Sequence, residues 1–163
     1  MHNLKRYPSC DSRPHFLTTT GNCEYDIFLS FADPDLNIVE TYLFRPLEQK
    51  GFRVCWHHRD FLPGYSIIEN IRNSIDRSCR VILVLSENFH RSDYCLFELR
   101  YSCEKMLVTH AQFVTHAQFV IPVVLHQQSL PRELKYLTYW KLNPEQPDRS
   151  DIESLFRAIG NVV

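Results

Sequence analysis

Glycine is scarce in this chain, with four in 163 residues, and none of the four sits in a G-x-G-x-x-G, a G-x-x-x-x-G-K-[ST] or a G-x-S-x-G pattern. Phosphate cradles made of bare backbone and the strained nucleophile elbow are thereby excluded. Neither sign of charge is in excess: 18 Lys and Arg against 19 Asp and Glu leave a formal charge of -1. Such a chain has no long-range pull toward phosphate backbones or anionic lipid, so nucleic acid is not an expected partner. Long hydrophobic runs are missing too. The longest, residues 81–85 and 119–125, fall well short of the ~20 residues of a membrane span, and the opening MHNLKRYPSC lacks the apolar centre of a signal peptide. No membrane segment is expected in this chain.

CxxC pairs are also lacking. Cys10, Cys23, Cys55, Cys79, Cys95 and Cys103 are irregularly spaced, several within expected strands or helices, and are read as reduced cytosolic thiols. Cys55, His57 and His58 come near one another in sequence, but neighbouring residues on a strand point to opposite faces, so no metal site is expected there.

What is present is enough for one folded domain. A chain of 163 residues that is 44% apolar and 23% charged sits near the globular average and supports one core. Residues 1–23 carry Pro, Ser, Thr and His without periodicity and are read as a flexible leader, with the domain occupying 24–163. From Glu24 onward, short apolar runs at 25–31, 52–56, 81–85, 119–125 and, more weakly, 137–142 alternate with longer amphipathic segments. That alternation predicts an α/β fold with a parallel sheet covered by helices.

The first helix is predicted to have Asp33 as N-cap and Pro34 as its first residue. It should bury Leu36, Val39, Leu43 and Leu47, kink at Pro46 and stop at Gly51. Capping boxes Ser66-Ile67-Ile68-Glu69 and Ser150-Asp151-Ile152-Glu153 predict two further helices, burying Ile68, Ile71 and Ile75 in one and Ile152, Leu155, Phe156 and Ile159 in the other. A helix over 93–107 should turn Leu96, Leu99, Cys103 and Met106 inward, and a poor helical turn follows Ser129. Residues 109–114 and 115–120 are an identical tandem THAQFV. It is read as a duplication absorbed by a longer loop, since lengthening a loop costs only tenths of a kcal/mol to ~1 kcal/mol.

In an open parallel sheet, ligands and partners meet the carboxyl ends of the strands. Asp33 and Asp35 after the first strand resemble the acidic pair of a phosphoreceiver, but the third strand ends in Leu85-Ser86-Glu87 with no aspartate to accept phosphate. After the second strand comes Arg59-Asp60-Phe61-Leu62-Pro63-Gly64, with large apolar side chains outside the periodicity of either neighbouring element. Pro63 presets φ and Gly64 is free to take φ > 0, so Phe61 and Leu62 can be held outward on a stiff tip suited to docking, or can fold back as a lid on the core, since single surface apolar residues need no explanation.

These residues carry a family resemblance. Tyr25-Asp26-Ile27-Phe28-Leu29-Ser30-Phe31 and Arg59-Asp60-Phe61-Leu62-Pro63-Gly64 resemble, in order and spacing, the first and second boxes of TIR (Toll/interleukin-1 receptor) domains. Ile67-Ile68-Glu69-Asn70-Ile71, Val84-Leu85-Ser86-Glu87-Asn88-Phe89, Ser92 and Cys95-Leu96-Phe97-Glu98-Leu99 are most similar to the cytosolic tails of Toll-like receptors. The third box departs from the pattern: Ile152-Glu153 stands where a Phe-Trp pair is usual, and Tyr139-Trp140 is the only nearby aromatic pair.

The resemblance implies a flavodoxin-like three-layer fold with strand order 2-1-3-4-5. It makes Arg59–Gly64 the BB loop, through which TIR domains associate with one another and with receptor or adaptor TIR proteins in innate immune signalling. It implies a cytoplasmic location, tethered at the cytosolic face of a membrane when part of a receptor, and no cofactor. It also carries a rival, because some TIR domains hydrolyse NAD+ with a glutamate on the third helix, where this chain has Glu98. A carboxylate there can orient ribose hydroxyls and stabilise an oxocarbenium-like transition state. Against it, Glu98 beside Leu99 reads as a solvated flank residue, and Phe31-Ala32-Asp33-Pro34-Asp35 offers the diphosphate two carboxylates and no cation, leaving only Arg59 or His57 to swing in.

Overall fold

The centre of the molecule is a strand pair whose side chains are buried on both faces. In β1 (Tyr25–Ser30), Ile27 and Leu29 pack to one side and Phe28 to the other, because successive side chains on a strand point to opposite faces. The same alternation divides β3 (Ser78–Leu85), with Ile82 and Val84 on one face and Val81, Leu83 and Leu85 on the other. A sheet buried on both faces needs covering layers on each. The computed structural model, which describes residues 23–112, 119–126, 129–145 and 149–160, supplies them with helices.

Five parallel strands lie in the order β2-β1-β3-β4-β5, with β2 at Val54–Cys55, β4 at Val120–Leu125 and β5 at Trp140–Leu142. This is the expected 2-1-3-4-5 arrangement. One face carries Val39, Leu43 and Leu47 together with Leu155 and Ile159 of α7 (Arg149–Gly160). The other carries Ile71 and Ile75 of α4 (Ile67–Asp76), Phe89 of α5 (Glu87–Arg91), and Cys95, Leu99 and Cys103 of α6 (Asp93–Gln112). No helix among the described residues is long and apolar enough to cross a membrane.

The first helical segment has the expected buried residues but a different build. Asp33 does not cap it: Ala32 occupies that position, and Asp33–Asp35 form a 3-10 turn that leads into α1 (Leu36–Val39). In place of a simple kink at Pro46, residues Glu40–Phe44 widen into a π turn, with the Arg45 N–H bonded to the Glu40 carbonyl, before α2 (Arg45–Lys50) resumes. Pro46 has no N–H and its ring crowds the carbonyl four residues back, so the chain absorbs the misfit in the turn before it. Gly51 closes the segment at φ +103°, with Phe52 N–H on the Leu47 carbonyl at 3.1 Å, the bond pattern that a left-handed terminal residue completes.

Other expectations shift at the edges. The capping box at Ser66 and Glu69 is formed in both directions, and Ile71 and Ile75 are buried while Ile68 is half-buried. The last helix begins at Arg149, so Ser150 lies within it instead of capping it, and Ile152 and Phe156 are only half-buried. Helix α6 runs on to Gln112, taking up the start of the first THAQFV copy, and β4 begins at the end of the second. The stretch 113–118 between them lies outside the described residues, as do residues 1–22, where the expected leader falls. The helical turn after Ser129 is a 3-10 turn at Arg132–Leu134.

The six cysteines are not all reduced thiols. Cys23 and Cys79 form a disulfide with their Cα atoms 5.5 Å apart. The register explains how: β1 and β3 are adjacent with Tyr25 opposite Ser78, so Cys23, two residues before β1, comes within reach of Cys79, the second residue of β3. Cys55, Cys95 and Cys103 are free and buried. Burial pushes the Cys55 and Cys95 thiols up to about 12 and the Cys103 thiol up to about 11, which leaves them protonated and unreactive.

Candidate functional site

The sheet reverses its winding at β1, and the segments after β1, β2 and β3 converge at that point. Polar side chains buried there are satisfied by one another. Asp35, although acidic, is buried, and it accepts hydrogen bonds from the Ser86 hydroxyl and from Asn88 Nδ2 at 3.0 Å. Ser86 in turn accepts the Phe89 N–H at 3.0 Å and caps α5. One carboxylate thus ties the loop after β1 to the start of α5.

Glu98 belongs to this buried set. It is 5% exposed and its carboxylate accepts the Ser30 hydroxyl at the end of β1, so the reading of a solvated flank residue is corrected. The inward face of α6 is Cys95, Glu98, Leu99, Ser102 and Cys103. Leu96 and Met106, expected on that face, are half-buried beside it. Loss of hydration pushes the Glu98 carboxyl up to about 8; the nearby Asp33 charge adds to the rise and the Ser30 hydrogen bond opposes it.

The hexapeptide after β2 divides into three parts. Arg59 and Asp60 turn back onto the sheet edge: Asp60 Oδ2 accepts the Trp56 N–H at 2.8 Å, while Arg59, along the surface, reaches Glu48 at 2.9 Å, the Val54 carbonyl at 2.7 Å and Asp60 at 3.0 Å. These contacts lock a helical turn, α3 (His57–Asp60), onto the sheet edge. Phe61 packs against the core beside α4, so of its two expected placements, outward on the tip or folded back on the core, it takes the second. Leu62 does point out, at 53% exposure, although its backbone is fixed on both sides by Asn70, which accepts its N–H at 2.8 Å and donates to its carbonyl at 3.0 Å.

Pro63 and Gly64 follow in the open, with Gly64 at φ +87° and nothing within 4 Å of where a Cβ would stand. Two residues that periodicity alone did not single out extend the patch: Tyr65 at 56% and Ile67 at 46% exposure. Ile67 is the first residue of α4, and the capping box beside it fixes where it emerges.

Behind the loop, Asp33 meets two histidines. Its Oδ1 lies 3.1 Å from His57 Nε2 and 3.2 Å from His58 Nε2, and the rings of the two histidines sit side by side with centroids 4.1 Å apart. The residues leave the strand at Trp56 and enter a helical turn, so the two histidines do not alternate between faces as they would on a strand. Cys55 is not their neighbour; it is buried against α4 on the other face of the sheet. His57 is partly covered by Phe31 and Phe61, with centroids at 4.9 and 5.9 Å, and burial lowers its pKa.

A doubly wound parallel sheet whose switch point bears a buried carboxylate and a stiff, apolar-tipped loop defines the class. The family follows from comparison: the model of the TIR domain matches residues 27–156, and this chain belongs to the TIR domain family. It is 45% identical over 92 residues to Toll-like receptor 2 type-2 of Gallus gallus and 45% identical over 80 residues to Toll-like receptor 2 of Mus musculus. Those stretches are 55% and 48% of this chain but only 12% and 10% of the two receptors. Among solved structures, the TIR domain of the Toll-related receptor TRR-2 of Hydra magnipapillata superposes with a TM-score of 0.69 at 26% identity, covering 84% of this chain and 99% of that one.

The Glu98 environment has a measurable consequence. Between the unfolded carboxyl's 4.5 and the folded 8, the folded chain holds a proton that the unfolded chain has released. The stabilisation tied to that proton is complete below the unfolded value and is lost as pH rises through the folded one. Denaturant unfolding of the native protein should therefore show stability falling from about pH 5 to about pH 8 more steeply than in Glu98→Gln, whose neutral amide does not titrate. Equal slopes for the two proteins would show that Glu98 is ionised in the fold.

Proposed function

We propose that this chain is a TIR signalling module that self-associates and captures other TIR-domain proteins, receptor or adaptor, in Toll-like receptor and innate immune signal transduction. Its docking surface is the tip Leu62-Pro63-Gly64 with Tyr65 and Ile67. The observation that carries this reading is the pairing of exposure with rigidity: three large apolar side chains about half in solvent, on a backbone pinned by Asn70 and by the Ser66–Glu69 box. Apolar groups held ready on a stiff loop lose little conformational entropy on association. Arg59, Asp60 and Phe61 serve the same surface from within, by fixing the loop to the sheet edge and to the core.

Kinship with Toll-like receptors supports the same reading, and with it a cytosolic location, tethered to a membrane where the module forms part of a receptor. As a homotypic surface, the patch pairs with its counterpart in another TIR domain.

A second reading, NAD+ hydrolysis by Glu98, draws support from the burial of that carboxyl at the carboxyl end of β1 with its pKa raised to about 8, a pattern that clusters at catalytic sites. The surroundings weigh against it. Of the two groups that could swing in toward the diphosphate, Arg59 is engaged by Glu48, Asp60 and the Val54 carbonyl, and His57 lies against Asp33. A cleft of about 670 Å3 lies at the ends of β4 and β5, lined by Val124, His126, Tyr139 and Lys141 among others, and neither Ser30 nor Glu98 borders it. The scaffold reading is therefore preferred.

Two experiments separate these readings. Pro63→His, at an exposed position, should reduce self-association in sedimentation and capture of a second TIR domain while changing stability by no more than ~1 kcal/mol; association at native strength would remove the loop from the account. Incubating the purified domain, clustered on a scaffold, with NAD+ should release no nicotinamide. Turnover that disappears in Glu98→Ala would replace the scaffold-only reading with an enzymatic one.

A further inference from the structure

We propose that Asp33, His57 and His58 form a zinc site of one carboxylate and two imidazoles that clips the loop after β1 to the base of the docking loop. In tetrahedral zinc sites, bonds of about 2.0–2.1 Å set neighbouring ligand atoms about 3.3 Å apart. Asp33 Oδ1 lies 3.1 Å from His57 Nε2 and 3.2 Å from His58 Nε2, and the ligand atoms of all three residues fall within 4.8 Å of one another. Only a few tenths of an ångström separate the two carboxylate-to-imidazole spacings from the tetrahedral ones. Three protein ligands leave a fourth position for water or for a side chain from a partner.

Both arms of the site are held by residues outside it. Asp33 opens the 3-10 turn whose third residue, Asp35, is anchored by Ser86 and Asn88. His57 and His58 open the turn that Asp60 and Arg59 fasten to Trp56, Val54 and Glu48. A donor set on two anchored elements is pre-organised in the way that metal sites require. The Asp33 side chain is 75% and the His58 side chain 45% exposed, which gives an ion a path in from solvent. Two imidazoles and one oxygen suit zinc, whereas magnesium and calcium take oxygen donors.

The alternative occupants of these contacts are protons: each imidazole donates an Nε2–H to Asp33 and no ion is needed. Calorimetric titration of the EDTA-stripped domain with zinc chloride distinguishes the two. The expected result is one zinc per chain. Affinity should fall in Asp33→Asn, His57→Ala and His58→Ala by at least the roughly tenfold that loss of even an outer ligand-orienting partner costs. His58→Ala alters an exposed side chain, so its fold, checked by circular dichroism, keeps the test interpretable even if His57→Ala does not fold. Cobalt substituted for zinc should give tetrahedral visible bands without a thiolate charge-transfer band. No uptake at millimolar zinc, uptake unchanged in His58→Ala, or a thiolate band would each overturn the proposal.

Discussion

The rest of this molecule depends on how the polar groups at the carboxyl end of β1 are satisfied away from water. Three adjacent strands end there between two apolar layers, and a buried donor or acceptor without a partner costs about 1–3 kcal/mol. The chain meets this with pairs that are local, Asp60 with the Trp56 N–H, or drawn from distant segments, Asp35 with Ser86 and Asn88 and Glu98 with Ser30. Each pair ties a loop to a neighbouring element. Because these loops carry the exposed residues, the internal hydrogen bonds also determine which side chains face outward.

The loop proposed for docking follows from that arrangement. Its first half is consumed in fastening: Arg59 and Asp60 bind the sheet edge and Phe61 enters the core. Only then does the chain turn out through Leu62, Pro63 and Gly64, and Asn70, itself buried on α4, holds the turn by both sides of one peptide residue. The surface proposed for association is therefore shifted along the chain relative to the hexapeptide motif, losing Arg59 to Phe61 and gaining Tyr65 and Ile67. Rigid presentation distinguishes it from a scattering of surface apolar residues, which any protein carries.

Local patterns were legible in the sequence where local physics decides. Five apolar runs gave five strands, Ser66 and Glu69 gave a helix start, and Gly51 gave a helix end. The TIR motifs made the strand order and the family readable as well. What could not be read was what depends on which segments meet. Asp33 looked like a helix cap from its neighbours Pro34 and Leu36, yet its carboxylate lies against two histidines brought up from the adjacent strand. Glu98 looked solvated beside Leu99, yet the helix faces the sheet along Cys95, Glu98 and Ser102 as well. Cys23 and Cys79 looked unrelated at a separation of 56, yet neighbouring parallel strands place them together. Phe61 could point either way until the fit of α4 against the sheet drew it inward.

The most direct test of the central claim is to see which atoms a partner touches. Two-dimensional NMR of the isotope-labelled domain, titrated with an unlabelled TIR domain, reports this residue by residue. The account predicts that the largest shifts and losses of intensity fall on the amides of Leu62, Gly64, Tyr65 and Ile67, with Arg59 and Asp60 moving little. Perturbation concentrated on another face, such as α7 or the ends of β4 and β5, with the Leu62–Ile67 segment unchanged, would contradict it.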